Sequence, residues 1–279
     1  VLFRVDLDAA YGSTNSKGEK AISIVEGSKK LGLGERSLHK SLANNPLEKA
    51  KQILEQLRDG LIVSCQAMYS DSPTNSPDFL ARMAQAVVRG GARGIRANGP
   101  ENIRAIRKAV DVPIIGLYKE TIPGYEVYIT PTFEHAKSVV EAGADIVALD
   151  GTLRKRPGLE DLETIVMRIR AELGAMVMLD ISTLEEGLRA ADLRPDLIST
   201  TLAGYTPYST KLAGPDLRLV WNLAMRSEVP VVAEGRIESP HQVRAAFEAG
   251  AFAVVVGRAI TARGELGITR LAHFSLFCY

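Results

Sequence analysis

Two charged residues close short apolar runs: Lys119 ends PIIGLYK (113–119), and Glu234 falls near the end of PVVAEG (230–235). Either charge would be costly among the apolar side chains before it, so both belong at a rim or a cleft. An amine and a carboxyl on opposite sides of a bound molecule suit inversion at a carbon beside a carbonyl. One group takes the proton from one face, and the other returns a proton to the opposite face. The lysine then needs its pKa lowered, which a neighbouring cation such as Arg96 would favour, and the glutamic acid needs its pKa raised. Two other readings stand beside this one. The pair could be an ion pair holding the mouth shut, or Lys119 could form an imine, as in a Schiff-base lyase or aldolase.

Further apolar runs also end on polar residues or glycine: Gln66, Arg96, Asp150, Asp180, Gly204-Tyr205, Gly235-Arg236 and Gly257-Arg258. The segments AEGRIESP and VVVGRAIT have the makeup of a phosphate cradle. Gly235 and Gly257 let backbone N–H groups approach closely, and Arg236 or Arg258 supplies charge. Asp180 either meets the ligand or caps the helix after it. The run Arg154-Lys155-Arg156 is a solvated loop or a second anion contact. His39, His135, His241 and His273 have no metal-ligand spacing and read as solvated surface, so no metal is expected.

The elements that position these residues follow from the pattern of the chain. From residue 61 onward, eight Val- and Ile-rich runs begin at 61, 94, 113, 145, 176, 197, 230 and 252 and alternate with helical segments. Most run apolar without alternation, as strands of a parallel sheet covered on both faces should. Ser76-Pro77, Gly99-Pro100, Thr130-Pro131 and Ser239-Pro240 announce helix starts, and Ser182 to Glu185 has capping-box spacing. The joint Gly-Ala recurs at 91, 143 and 250 before three of the runs, which makes a half-barrel unit of about 50 residues. The expected fold is an α/β TIM (β/α)8 barrel over residues 51–279, preceded by a non-barrel extension over 1–50, flexible or partly helical. In such a barrel the third and seventh strands face each other, so Lys119 and Glu234 stand across the mouth.

Composition narrows the function classes. With 34 Lys+Arg against 33 Asp+Glu in 279 residues, the formal charge of +1 argues against a nucleic-acid or anionic-membrane surface. Cys65 and Cys278 make neither a disulfide framework nor a zinc spacing, and a reducing, cytoplasmic setting is expected. The opening VLFRVDLDAAYG is charged where a signal peptide would be apolar, and no run has the length of a membrane helix.

With these residues in place, the chain resembles the N-acylglucosamine-6-phosphate 2-epimerase family, which interconverts N-acetylmannosamine 6-phosphate and N-acetylglucosamine 6-phosphate. The resemblance covers about residues 53–270 and rests on GLIVSCQ, VPIIGLYK, VYITPT, ADIVALDGT with RKRP behind it, ISTTLAGYT, VVAEGRIESP and VVVGRAIT. It implies a cofactor-free, metal-free TIM barrel of amino-sugar and sialic-acid catabolism. Lys119 and Glu234 would be its catalytic residues, and Gln66, Arg96 and Asp180 would contact substrate. Gly204-Tyr205, Gly235-Arg236 and Gly257-Arg258 would contact phosphate and sugar, and Arg96 would stabilise an enolate. The chain departs from the family at Arg258, where a small residue is common. It departs again at ARGELG, a longer connection that leaves open whether Arg263 matches the family's arginine there. The implied partner is a phosphorylated N-acetylhexosamine, with no nucleic acid and no membrane, and there is room for a homodimer. A silent phosphosugar-binding module is the alternative outside catalysis.

Overall fold

The computed structural model describes residues 45–67 and 76–261. By contacts the chain divides into two units, Val1–Gln52 and Ile53–Tyr279. The extension expected over 1–50 lies, up to residue 44, outside the described residues, as do His39, Arg263, His273 and Cys278.

Eight strands form a closed, all-parallel barrel in sequence order, and β1 pairs with β8 to complete it. The elements are α1 (Pro46–Leu57), β1 (Gly60–Cys65), α2 (Pro77–Arg89), β2 (Gly94–Asn98), α3 (Pro100–Ala109), β3 (Ile114–Leu117), α4 (Phe133–Glu141), β4 (Ile146–Asp150) and α5 (Leu162–Arg168). After a π-helical turn (Ile169–Leu173) come β5 (Met176–Asp180), α6 (Leu184–Asp192), β6 (Leu197–Ser199), α7 (Leu217–Arg226), β7 (Val231–Glu234), α8 (Pro240–Glu248), β8 (Ala253–Val256) and a short α9 (Arg258–Thr261). The TIM barrel expected from the alternating runs is the fold observed. Strand side chains are almost all buried, because helices cover the outside while the inside is packed on itself.

Local chemistry explains most boundaries. Ser76 and Ser239 accept hydrogen bonds from Phe79 N and Gln242 N, with proline in the first turn of α2 and α8. Gly91, Gly143 and Gly250 take positive φ (100°, 106° and 93°), the turn from helix into strand that a side chain would strain. Two expected starts are displaced. Helix α4 begins at Phe133 with Thr132 as its N-cap, because Thr130 instead takes φ 46° and sends its hydroxyl to Ala148 O at 2.7 Å. The capping box is Thr183 with Glu186, one residue beyond Ser182 and Glu185, and the Ser182 hydroxyl donates to the same Glu186 carboxylate.

Strand β3, which leads to Lys119, is packed without slack. A Cβ added at Gly116 would stand 2.6 Å from both the Ala144 Cβ and Val139 Cγ1. Gly116→Ala should therefore lower unfolding free energy by about 1–3 kcal/mol, measured by urea denaturation, since that joint has no flexible side-chain end to yield.

Candidate active site

The strand ends on one face of the barrel surround a cavity of about 640 Å³, and Gln66, Arg96, Lys119 and Glu234 share its lining with the Gly235-Arg236 and Gly257-Arg258 turns. Arg96, on β2, forms the floor and is only 1% exposed. Its Nη2 donates to Asp180 Oδ2 at 2.5 Å, and its Nη1 is near Asp180 Oδ1 (3.1 Å), Thr201 Oγ1 (3.1 Å) and Glu234 Oε2 (2.6 Å). Burial would lower the Arg96 pKa, but attraction to Asp180 and Glu234 outweighs that and raises it, so the guanidinium stays charged. Its Nε is buried and has no hydrogen-bond partner among the described residues.

Asp180 is fully buried, does not line the cavity, and spends its carboxylate on Arg96 and Thr201. It caps nothing, since Thr183 caps α6. Thr201, which the sequence reading did not single out, donates toward Asp180 Oδ1 (2.7 Å) or Glu234 Oε2 (3.0 Å), within reach of both. Strand β6 stops at Ser199, so Thr200 and Thr201 occupy the turn after it. The Thr200 hydroxyl bonds both the backbone N–H (3.0 Å) and carbonyl (2.9 Å) of Glu234. The hydroxyl run in ISTT was the available signal for this support.

Lys119 is open to the cavity, yet protein surrounds its amine. Lost hydration, followed by repulsion from Arg96, lowers its pKa. Its Nζ donates to Gln66 Oε1 at 2.9 Å, while Gln66 Nε2 donates to Ser64 Oγ and so orients the amide. The backbone is held as firmly: Lys119 N donates to Asn98 Oδ1 at 2.8 Å, and the chain folds back so that Lys119 pairs with Ile129 in an antiparallel bridge. Glu120 N to Tyr128 O and Thr130 N to Tyr118 O complete this hairpin. Glu234 has a raised pKa, because burial and the nearby Asp180 charge outweigh the attraction of Arg96. Lys119 and Glu234 form no direct ion pair; their close partners are Gln66 and Arg96.

Arg236 is aimed by the backbone. Its Nε donates to Gly214 O at 2.9 Å and its Nη1 to Ala203 O at 2.5 Å, with the guanidinium 5.4 Å from the Tyr205 ring centroid. A Cβ at Gly204 would come within 2.3 Å of Arg236 Nη1, so this approach needs glycine. Nη2 of Arg236 has no protein partner among the described residues. Arg258 lies 3.9 Å from Glu238 with both side chains largely exposed, a contact of little energetic weight.

Two expectations about charged surface are corrected. Arg154 turns inward to pair with Asp150 at 2.6 Å, and the buried Arg156 donates to the Asp150 and Pro131 carbonyls, because the Asp150 carboxylate is fully buried and its other oxygen bonds only the neutral Thr152, so it needs a counter-charge. Of that run, Lys155 alone reaches outward, over the Tyr125 ring. His135 is not solvated: it bonds Thr132 and Glu120 and meets the Tyr118 ring edge-on, while His241 is exposed. Among the described residues, no cluster of three His, Cys, Asp or Glu could hold a metal. No described helix is long and apolar enough to cross a membrane.

The model of a family described as "Putative N-acetylmannosamine-6-phosphate epimerase" matches residues 80–272. The chain belongs to this N-acetylmannosamine-6-phosphate epimerase family. A Caldanaerobacter subterraneus subsp. tengcongensis member, named as a 2-epimerase for the same compound, is 51% identical over 215 residues, 77% of this chain and 90% of that protein. One from Clostridioides difficile is 43% identical over 209 residues, 75% of this chain and 93% of its own length. Among solved structures, the N-acetylmannosamine-6-phosphate 2-epimerase of Clostridium perfringens superimposes with a TM-score of 0.73 at 42% identity, covering 75% of this chain and 90% of that one. A Pyrococcus furiosus thiamine phosphate pyrophosphorylase, 17% identical with a TM-score of 0.56, shares the fold alone.

Arg96→Met should cost about 3–5 kcal/mol of folding stability in denaturant unfolding at neutral pH, because it leaves the Asp180 carboxylate buried without its cation. A loss below about 1 kcal/mol would mean that the buried pair is not what holds these strand ends together.

Proposed function

We propose that the chain is a cytoplasmic enzyme of amino-sugar catabolism that interconverts N-acetylmannosamine 6-phosphate and N-acetylglucosamine 6-phosphate by moving the C2 proton between Lys119 and Glu234. The observation that carries the reading is the divergence of these two groups. They end opposite strands and line one cavity without pairing, and their pKa values are displaced toward each other, the amine down and the carboxyl up. That is the arrangement an acid and base at near-neutral pH require.

In the ring-opened sugar the C1 carbonyl acidifies the hydrogen on C2. Neutral Lys119, with one N–H given to Gln66, takes that proton. The C–H electron pair becomes the C1=C2 bond, and the carbonyl pair moves onto oxygen. Glu234, protonated, then returns a proton to C2 from the opposite face, and in the other direction the two exchange roles. The sequence is proton transfer throughout, with no net oxidation or reduction. The Gly235-Arg236 and Gly257-Arg258 turns hold the phosphate, with Arg236 Nη2 as the oriented donor, so that C2 lies between the two catalytic groups.

In deuterium oxide, N-acetylmannosamine 6-phosphate should gain deuterium at C2 as product forms, and Lys119→Met should abolish label uptake and conversion together. Conversion without label at C2 would overturn the mechanism, and borohydride trapping of substrate on Lys119 would favour an imine in its place.

Arg236→Met removes a charge-assisted bond of about 1.5–3 kcal/mol from the phosphate, so KM should rise about 10- to 150-fold while kcat changes little. Steady-state kinetics checks this. An unchanged KM would move the phosphate elsewhere.

A further inference from the structure

Tyr128, which the sequence reading passed over inside VYITPT, lines the same cavity as Lys119 and Arg96. It is half-buried, and its hydroxyl has no hydrogen-bond partner among the described residues. Lining the cavity and free of protein partners, its hydroxyl is a donor that a ligand can engage in place of water. Its surroundings are ionic. The Asp180, Asp150, Arg154 and Arg96 charges all act on the phenol. Burial first, then the two carboxylates, raise its pKa, so the hydroxyl keeps its proton and can donate.

The reaction proposed above needs such a donor, because the C1 oxygen gains a full charge when the C2 proton leaves. Arg96 is the obvious cation, but its Nη1 is taken up by Asp180, Thr201 and Glu234, and its Nη2 is tied to Asp180. Turning Nη1 to the substrate would release the Glu234 carboxylate, which must stay in place to return the proton. Tyr128 has no such duty. Its carbonyl accepts from Glu120 N at 3.0 Å, so it rides on the same hairpin that fixes Lys119, and donor and base keep one register.

Resting on that reading of the site, we propose that the Tyr128 hydroxyl donates a hydrogen bond to the substrate's C1 oxygen as it becomes the enolate oxygen. The phenolic proton stays on Tyr128. As Glu234 protonates C2, the C1=C2 pair forms the new C–H bond, the oxygen pair re-forms the carbonyl, and the hydrogen bond weakens. The interaction therefore favours the transition state over the bound sugar.

The test is Tyr128→Phe, which removes one oxygen from a cavity wall. With N-acetylmannosamine 6-phosphate, kcat should fall about 10²- to 10³-fold with KM nearly unchanged, and deuterium uptake at C2 should fall by the same factor. Thermal stabilisation of the variant by the same sugar phosphate shows that it folds and binds. A kcat within twofold of the parent, or a rise in KM alone, overturns the assignment and leaves the epimerase reading intact. A parent protein that neither converts the sugar nor exchanges C2 overturns that reading, and this inference with it.

Discussion

The ion pair between Arg96 and Asp180 is the constraint on which the site depends. Both side chains are essentially inaccessible, and two charges are held out of water only because they satisfy each other in a two-pronged contact. The pair joins β2 to β5 across the barrel end, and Arg96 Nη1 extends it to Glu234 on β7. Thr201, after β6, lies within hydrogen-bond reach of both carboxylates. Three strands and one turn are thereby referred to a single guanidinium. A floor built this way orients Glu234 through Arg96 and Thr201.

Lys119 depends on a different kind of support. Strand β3 stops at Leu117, so the lysine lies beyond the barrel wall, where its backbone would be loose without further bonds. The hairpin from Tyr118 to Thr130 supplies them, together with Asn98 from the neighbouring strand. Lys119 is thus placed by backbone hydrogen bonds and Glu234 by a buried charge. That difference suits the proton transfer proposed above, since a lysine held by salt bridges would keep its proton, whereas a carboxyl beside an already committed arginine can accept one.

How much of this was readable beforehand follows the range of the interactions. The barrel was legible because its signal is local: apolar runs, proline after a cap, and glycine at the helix-to-strand joint each act within a few residues. Lys119, Glu234, Gln66 and Arg96 were legible as cavity residues because a charged or amide group ending an apolar strand has few other places to go. Asp180 carries the same local signature and yet is buried, because its fate is decided by Arg96, 84 positions away. Arg154 and Arg156 looked like a solvated run for the same reason, their acceptors being a strand-end carboxylate and carbonyls that composition does not reveal. Thr201 and Tyr128 escaped notice because a hydroxyl announces nothing by its type. Its meaning lies in what it can reach.

The near-neutral charge of the whole chain has a counterpart at the site. Arg96 and Lys119 bring two positive charges, Asp180 and Glu234 two negative ones, and the set is neutral when all are ionised. It is equally neutral when the proton has passed from Lys119 to Glu234. Burial penalises each ion separately, so it favours the state in which amine and carboxyl are both neutral, while Arg96 and Asp180 act on each group with opposite signs. The lowered pKa of the amine and the raised pKa of the carboxyl follow first from that burial. In the proposed reaction, the step after C2 has lost its proton and before it regains one leaves Lys119 as ammonium and Glu234 still protonated, so the set carries one net positive charge that the enolate's negative charge balances. The remaining charge to be managed is the one on the substrate's own oxygen, and a neutral donor can meet it without disturbing the balance of the floor.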